Sequence, residues 1–149
     1  MADFKVEGLG EAQAQLRQIA RAPDEVKGDI LRSMADVAAA EQKKTGMEFG
    51  IYDADSGGKH LVDTIKVNKP KLSEDGGTIS VTFSGKRKDK KHKTPVRNAE
   101  IAFINEYGKK GQAARPFVRT ANKRAEERIQ KAGQAVWDEW TKTHLKGEN

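Results

Sequence analysis

The sequence contains no cysteine among its 149 residues. This absence excludes a disulfide framework and a metal site with thiolate ligands, and it agrees with a reducing compartment. Apolar and aromatic residues are also scarce: the hydrophobic fraction is 36% and the aromatic fraction is 6%, whereas soluble domains average about 45–50% apolar residues. We therefore expect a small core, long solvated helices, or surfaces that need a partner.

Long apolar runs are missing as well. No segment approaches the run of about 18 apolar residues that a membrane-spanning helix needs, and the first residues, MADFKVEGLG, lack a basic start followed by an apolar stretch. We expect neither a secretory signal nor contact with a membrane. The sequence is consistent with a soluble protein of the cytosol, or with a component of an assembly that is built there.

The residue patterns typical of catalysis and metal binding do not occur in the sequence. His60, His92 and His144 lie far apart and lack the spacing of a metal site. There is no G-x-S-x-G, no phosphate-binding glycine loop and no H-E-x-x-H. We predict no catalytic, cofactor-binding or metal-binding residues, no small-molecule substrate and no enzyme activity.

Positive charge is abundant but concentrated in one stretch. Residues 85–97, GKRKDKKHKTPVR, which we call the basic arm, contain seven basic residues and a single acid, Asp89. Since 21 basic and 21 acidic residues remain elsewhere, the basic arm accounts for the whole net charge of +6. Two interpretations stay open: a mobile, solvated loop, or a finger that contacts duplex DNA without reading its sequence, because no aromatic residue is present to stack on bases. The predicted DNA-facing residues are Lys86, Arg87, Lys88, Lys90, Lys91, Lys93 and Arg97.

Length and periodicity predict a single domain over residues 1–149. Apolar spacing predicts a helix over 9–21 and another over 24–45, which Pro23 opens and Gly46 ends. Residues 60–68 and 77–85 are typical of strands on either side of a turn at 73–77. They predict an antiparallel hairpin over 61–84, with Ile79, Val81 and Phe83 on its buried face.

Two further helices complete the predicted fold. Asn98 is a suitable N-cap for a short helix that Gly108 ends, although a strand over these residues is an alternative. Apolar residues at three- and four-residue steps predict a long helix from 117 to about 144, and its alanines would let a partner's backbone come close. A flexible tail follows at 145–149. The expected class is α+β: a small antiparallel sheet, built on the hairpin, packed against two long helices.

Side chains suited to specific contacts are concentrated in the predicted short helix and the turn that leads to the long helix, in AEIAFINEYGKKGQAARPF at 99–117. Glu106 and Arg115 have opposite charges and can pair within one subunit or across a subunit boundary. Phe117 either packs on the chain's own core or anchors an interface. With these alternatives open, the candidate interface residues are Phe103, Glu106, Tyr107, Arg115, Pro116 and Phe117.

This stretch resembles a family of tail components of long-tailed bacteriophages, the neck or head–tail joining proteins. The family pattern is roughly A-x-x-x-E-[FYH]-G, a gap, and then [AR]-x-P-F-[LVI]-x-x-A. The residues that fill it here are Ala102, Glu106, Tyr107, Gly108, Arg115, Pro116, Phe117, Val118 and Ala121. Upstream, GGKHLVDTIKV resembles the family's glycine, leucine and short strand after a long helix, so the likeness spans about residues 24–140. The lysine-rich gap and the long basic arm depart from the pattern.

The resemblance implies a structural virion protein, without catalytic residues or cofactors, that forms a ring between the head's connector and the tail tube. The implied partners are further copies of the chain in a homo-oligomeric ring, connector or head-completion proteins, and tail-tube or terminator proteins. The implied location is the virion, after assembly in the host cytoplasm. A ring around the DNA path would also bring a duplex to the basic arm. The alternative function is a small basic DNA-binding protein that acts through residues 86–97.

Overall fold

The computed structural model describes residues 23–51, 60–74, 76–88 and 94–144. Three helices and three antiparallel strand pairs within these ranges confirm the predicted α+β class. The predicted helix at 9–21 and the tail at 145–149 lie outside the described residues. The elements in chain order are α1 (Asp24–Glu48), a 3-10 helix (Leu61–Thr64), β1 (Ile65–Val67), β2 (Lys71–Ser73), β3 (Gly76–Thr78), β4 (Val81–Phe83), β5 (Lys86–Arg87), β6 (Val96–Arg97), α2 (Asn98–Tyr107) and α3 (Phe117–His144).

Helices α1 and α3 lie side by side and antiparallel. Ser33 Oγ donates a hydrogen bond to the carbonyl oxygen of Ala132, and Arg128 binds Glu41 at 2.8 Å, so residue numbers fall along α3 as they rise along α1. The alanine stripe predicted to receive a partner's backbone instead serves this contact within the chain. The fully buried alanines of the helix pair are Ala35, Ala38, Ala121 and Ala125.

The apolar core consists of two clusters, and α3 contributes to both. The first lies between α1, the hairpin and the middle of α3 and contains Val26, Ile30, Leu31, Met34, Ala35, Ala38, Ile79, Val81, Ala125 and Ile129. The second lies where α1 ends and α3 begins and contains Ile51, Leu61, Val62, Phe83, Ala99, Ala102, Phe117 and Val118. The sites discussed below lie around the second cluster.

The hairpin predicted over 61–84 is present and contains a bulge. Val67 lies opposite Val81, whereas Lys71 lies opposite Thr78. Between these two pairs the first strand has three residues, 68–70, and the returning strand has two, 79–80, so one residue is extra. Pro70 lies in this interruption, where its missing N–H breaks no ladder hydrogen bond. The predicted apolar face of Ile79, Val81 and Phe83 is buried, as expected.

The start of the hairpin differs from the prediction, because Leu61–Thr64 form a 3-10 helix and not a strand. Leu61 and Val62 are consecutive and both buried. A strand with one buried face cannot bury two successive side chains, because they point to opposite faces. A helical turn can, and it is closed by hydrogen bonds from Asp63 N–H to His60 O and from Thr64 Oγ1 to Leu61 O.

Helix α1 ends at Glu48, and Gly46 is not its stop. Gly46 is a helical residue at a close contact: a Cβ there would lie 2.6 Å from a methyl carbon of Val62. The cap that ends the helix has Gly50 two residues after Glu48, in the left-handed conformation with a φ of +74°. Gly50 N–H donates to Met47 O and Ile51 N–H donates to Gly46 O, which is the Schellman pattern.

Candidate interaction surface at the α2–α3 junction

The turn between α2 and α3 is closed by its own backbone. Gly108, with a φ of +78°, follows α2, and its N–H donates to Ile104 O at 2.7 Å. The predicted end of the short helix at Gly108 is therefore confirmed. Lys109 and Gln112 exchange two backbone hydrogen bonds, and Arg115 N–H donates to Asn105 O. These bonds bring the beginning of α3 against the last turn of α2.

Glu106 joins the two helices from inside. Its side chain is fully buried, and its carboxylate accepts hydrogen bonds from the backbone N–H groups of Val118 at 2.8 Å and Arg119 at 3.0 Å. N–H groups in the first turn of a helix have no partner within the helix, and the positive end of the helix dipole favours a carboxylate there. Glu106 in α2 thus caps the N-terminus of α3.

Of the two pairings left open for Glu106 and Arg115, the one within a single chain is wrong. Arg119 is the cation that binds Glu106, with Nε to Oε1 at 3.0 Å. Arg115 donates instead to Asn105 Oδ1 at 2.6 Å and to the carbonyl oxygens of Phe49 and Gly50, both at 3.3 Å. Arg115 therefore ties the turn to the end of α1.

Phe117 belongs to the core of its own chain. Its side chain is fully buried, and its ring meets that of Phe83 edge to face, with centroids 5.7 Å apart. Pro116 is half-buried, and its carbonyl oxygen accepts from Thr120 Oγ1. Because Glu106 and Phe117 have no exposed side-chain surface, the prediction that these two are interface residues is corrected: they stabilise the junction from inside.

Phe103 and Tyr107 lie on the outer side of α2. Their side chains are 47% and 49% exposed, and their ring centroids are 4.7 Å apart. The guanidinium carbon of Arg119 lies 5.0 Å from the centroid of the Tyr107 ring, a cation–π distance. We call Phe103, Tyr107 and Arg119 the aromatic patch. Glu106 also binds Arg119, so contacts within the chain fix the position of Arg119 in the patch.

The sequence prediction did not include Arg119. A signal for it exists, because a cation in the first turn of a helix opposes the helix dipole and so indicates a carboxylate partner close by. Arg119 lies in the first turn of α3, and Glu106 lies in the preceding helix. Opposite charge alone does not show whether Arg115 or Arg119 is the partner of Glu106, because the two arginines are only four residues apart.

The described part of the basic arm forms a short ribbon in which β5 pairs with β6. Lys86 and Lys88 are exposed, Arg97 is half-buried, and Arg87 is turned to the body by a hydrogen bond from its Nε to Asn98 Oδ1 at 2.8 Å. Lys90, Lys91 and Lys93 lie outside the described residues. The ribbon precedes α2, whereas Phe103 and Tyr107 lie in the middle and at the end of α2, so about 8–14 Å of helix separates them from the ribbon.

The sequence predicts Asn98 as the N-cap of α2, and this prediction is wrong. It is the first helical residue, Arg97 occupies the N-cap position, and no side chain caps this end. Asn98 is buried, and its Nδ2 donates to Ser84 O at 2.7 Å. The side chain that would have capped the helix fixes the root of the ribbon instead.

Two carboxyl groups have perturbed pKa values, and both belong to ion pairs between elements. The hydrogen bond from Arg128 lowers the pKa of Glu41, which joins α1 to α3. The hydrogen bond from Lys43 likewise lowers the pKa of Asp63, which joins α1 to the 3-10 helix. Within the described ranges, no three or more His, Asp or Glu side chains are grouped to hold a metal ion.

None of the helices in the described part of the chain is both long and apolar enough to cross a membrane. Comparison of the chain with protein-family models, with curated proteins and with solved structures found no match.

Proposed function

We propose that the chain is a structural component of the neck of a long-tailed bacteriophage, which joins the DNA-filled head to the tail as a ring around the DNA path. In this proposal it contacts connector and tail proteins in the virion after assembly in the host cytoplasm, and it performs no catalytic step. The observation that carries the proposal is the aromatic patch, which is exposed at the same junction whose sequence resembles the neck family.

The aromatic patch has the properties of a docking site. Tyrosine and arginine are among the residues that contribute most to binding at protein interfaces. Two neighbouring rings that are each about half exposed leave apolar surface in water, and its burial by a partner is favourable. Because Glu106 already fixes Arg119, binding loses less side-chain entropy there than it would with a free arginine.

The occupant that fits the patch is a second copy of this chain. Arg119 belongs to the patch, and the exposed cations Lys109, Lys110 and Arg115 lie in the turn that follows Tyr107. The first half of α1 has an exposed stripe of Glu25, Asp29 and Asp36, which we call the acidic stripe. Arg32 lies on the same side of the helix and forms an ion pair with Asp29. Since α1 and α3 are antiparallel, this half of α1 lies away from the junction. Complementary charges at different places on one chain favour head-to-tail contacts, which close into a ring when the rotation permits.

A joining assay tests the proposed function. Heads and tails from phage that lack the chain are mixed with purified protein, and infectious particles are counted. The parent protein should restore joining, whereas F103S/Y107S should not, although its melting temperature stays close to that of the parent. Met47→Ser is the matched control, because Met47 is also a large, exposed apolar residue but lies on α1. Fully infectious particles in the absence of the chain would contradict the proposal.

Charge reversal tests the choice of occupant. K109E/K110E should lower joining, because two acids would then face the acidic stripe of the next copy. Adding Glu25→Lys and Asp36→Lys to the same chain reverses the stripe as well and should restore joining. If the fourfold variant joins no better than K109E/K110E, the patch does not receive the acidic stripe of another copy.

A further inference from the structure

Two cations of the basic arm face each other in the ribbon formed by β5 and β6. Lys86 lies directly opposite Arg97 in the strand register. Directly opposite residues of an antiparallel pair share a face, and like charges in these positions destabilise the pair. An anion bound between them would remove this repulsion.

The other face of the ribbon is attached to the body of the protein. Arg87 lies opposite Val96, and Arg87 Nε donates to Asn98 Oδ1. Asn98 in turn donates its Nδ2 to Ser84 O and its backbone N–H to Gly85 O at 2.9 Å. These bonds fix the root of the ribbon at the start of α2, so the two faces are not equivalent.

The face of the ribbon that carries Lys86 and Arg97 is positively charged. Lys88 is exposed and follows Lys86 by two residues, and side chains alternate along an extended chain. Lys86 and Arg97 share one side of the ribbon, and Lys88 lies just beyond the end of β5. We call these three residues the cationic face. In the described residues of the basic arm, 85–88 and 94–97, there is no acid to neutralise it.

We propose that the cationic face binds the phosphates of duplex DNA. A protein partner would need apolar anchors for affinity, and Val96, the large apolar side chain of the described arm, lies opposite Arg87 on the other face. Phosphate contacts need cations and no aromatic surface, and a two-stranded ribbon fits the major groove. Arg87, which the sequence placed among the DNA-facing residues, is not one of these contacts.

This inference rests on the proposed function only for the source of the duplex, the DNA that passes through the neck. Binding is measured on the purified chain without heads or tails. A failure of DNA binding and a failure of head–tail joining are therefore separate results.

The test is the salt dependence of binding to a short, fluorescently labelled duplex. The triple variant K86Q/K88Q/R97Q should bind more weakly, and the slope of log affinity against log salt should fall by about 2.7, since each lost phosphate contact removes about 0.9. The body control K44Q/K123Q/K142Q has the same net charge but loses exposed lysines of α1 and α3. It should keep the slope of the parent. Lys90, Lys91 and Lys93 stay unchanged in both variants.

Three results would overturn the inference: the triple variant keeps the affinity and slope of the parent, the body control loses as much as the triple variant, or polyglutamate of equal charge competes as well as duplex DNA. A fold control is available, because removing opposed like charges should not lower the melting temperature of the triple variant. A lowered melting temperature would contradict the arrangement of charges from which the inference starts.

Discussion

At the scale of single residues, Glu106 shows how a buried charge is stabilised. An ionised carboxylate is costly to bury unless it is paired and hydrogen-bonded. Glu106 has both kinds of partner: two backbone N–H groups at the start of α3, and the guanidinium of Arg119. The same set of bonds fixes Arg119 over Tyr107. The position of Arg119 in the exposed patch is therefore set by a residue that is itself fully buried.

Phe117 is the residue whose truncation should affect stability most clearly. Phe117→Ala removes a fully buried ring that packs on Phe83, and we expect a loss of about 3–5 kcal/mol in the free energy of unfolding. Phe103→Ala is the matched control, because it deletes the same ring from a site that is 47% exposed. It should change the unfolding free energy by less than about 1 kcal/mol. Urea unfolding of both variants is the measurement, and equal losses would contradict the placement of Phe117 in the core.

The sequence singled out residues of the α2–α3 junction but could not show which of them are enclosed. Glu106, Phe117 and Tyr107 all lie within one short stretch, and only the packing of α2 on α3 decides which side chains are enclosed. The aromatic type of Phe103 and Phe117 is the same, yet one is half exposed and the other fully buried. Side-chain chemistry thus drew attention to this junction, whereas tertiary contacts that local patterns do not encode decide which of its side chains are buried and which are exposed.

At the scale of elements, polar contacts fix how α1 lies against α3. Gln42 and Asn122 are buried, and Gln42 Nε2 donates to Asn122 Oδ1 at 2.9 Å. Arg128 reaches from α3 to Glu41, the residue before Gln42. A slide of one helix along the other would separate these buried groups from their partners, which costs about 1–3 kcal/mol for each group left unpaired. The apolar stripes allow the helices to pack, and these polar pairs select one register.

The ion pair of Glu41 makes the stability of this helix pair depend on pH. Arg128 lowers the pKa of Glu41 below its ordinary value of 4.5 in the folded chain. Its contribution is therefore complete above the unfolded pKa and is lost as the pH falls through the lower, folded pKa. Glu41→Gln should lower the unfolding free energy at neutral pH by about 1–2 kcal/mol, a modest value because Arg128 is largely exposed.

The pH dependence separates this effect from simple packing. In acid, below the folded pKa, the parent carboxyl is protonated and resembles glutamine, so the difference between the parent and Glu41→Gln should nearly disappear. Urea unfolding of both proteins at neutral and acid pH measures this difference in unfolding free energy. Glu126→Gln, an exposed position of α3, should have little effect at either pH. A difference for Glu41→Gln that is equal at both pH values would show that the ion pair is not its cause.

Elements with a strong repeat of apolar residues were predictable from the sequence. Elements whose structure depends on contacts between residues distant in sequence were not. The alternation in β4 and the long apolar spacing of α3 are confirmed by structure. The predicted hairpin includes Leu61 and Val62, but both are buried in a 3-10 helix, and the local pattern does not show this joint burial. Gly46 resembles a helix stop, but its role is to let Val62 approach α1, a contact between residues distant in sequence.

At the scale of the whole molecule, the two core clusters share their longest element. α3 supplies Ala125 and Ile129 to the first cluster and Phe117 and Val118 to the second. A continuous helix of 28 residues, about 42 Å long, connects them. If one cluster unfolds, α3 loses the apolar contacts that it makes in that cluster. We therefore expect the single domain predicted from the sequence to unfold as one cooperative unit.

The two tryptophans of the sequence allow a test of this cooperativity. Trp137 and Trp140 pack against the first cluster, so their fluorescence reports unfolding there. Leu61→Ala creates a cavity in the second cluster and should lower the unfolding free energy by about 2–5 kcal/mol. Because α3 couples the clusters, the tryptophan fluorescence midpoint in urea should fall together with the circular dichroism midpoint. Met47→Ala, at an exposed site, should move neither midpoint. A fluorescence midpoint that stays in place while circular dichroism separates into two steps would mean that the chain contains two folding units.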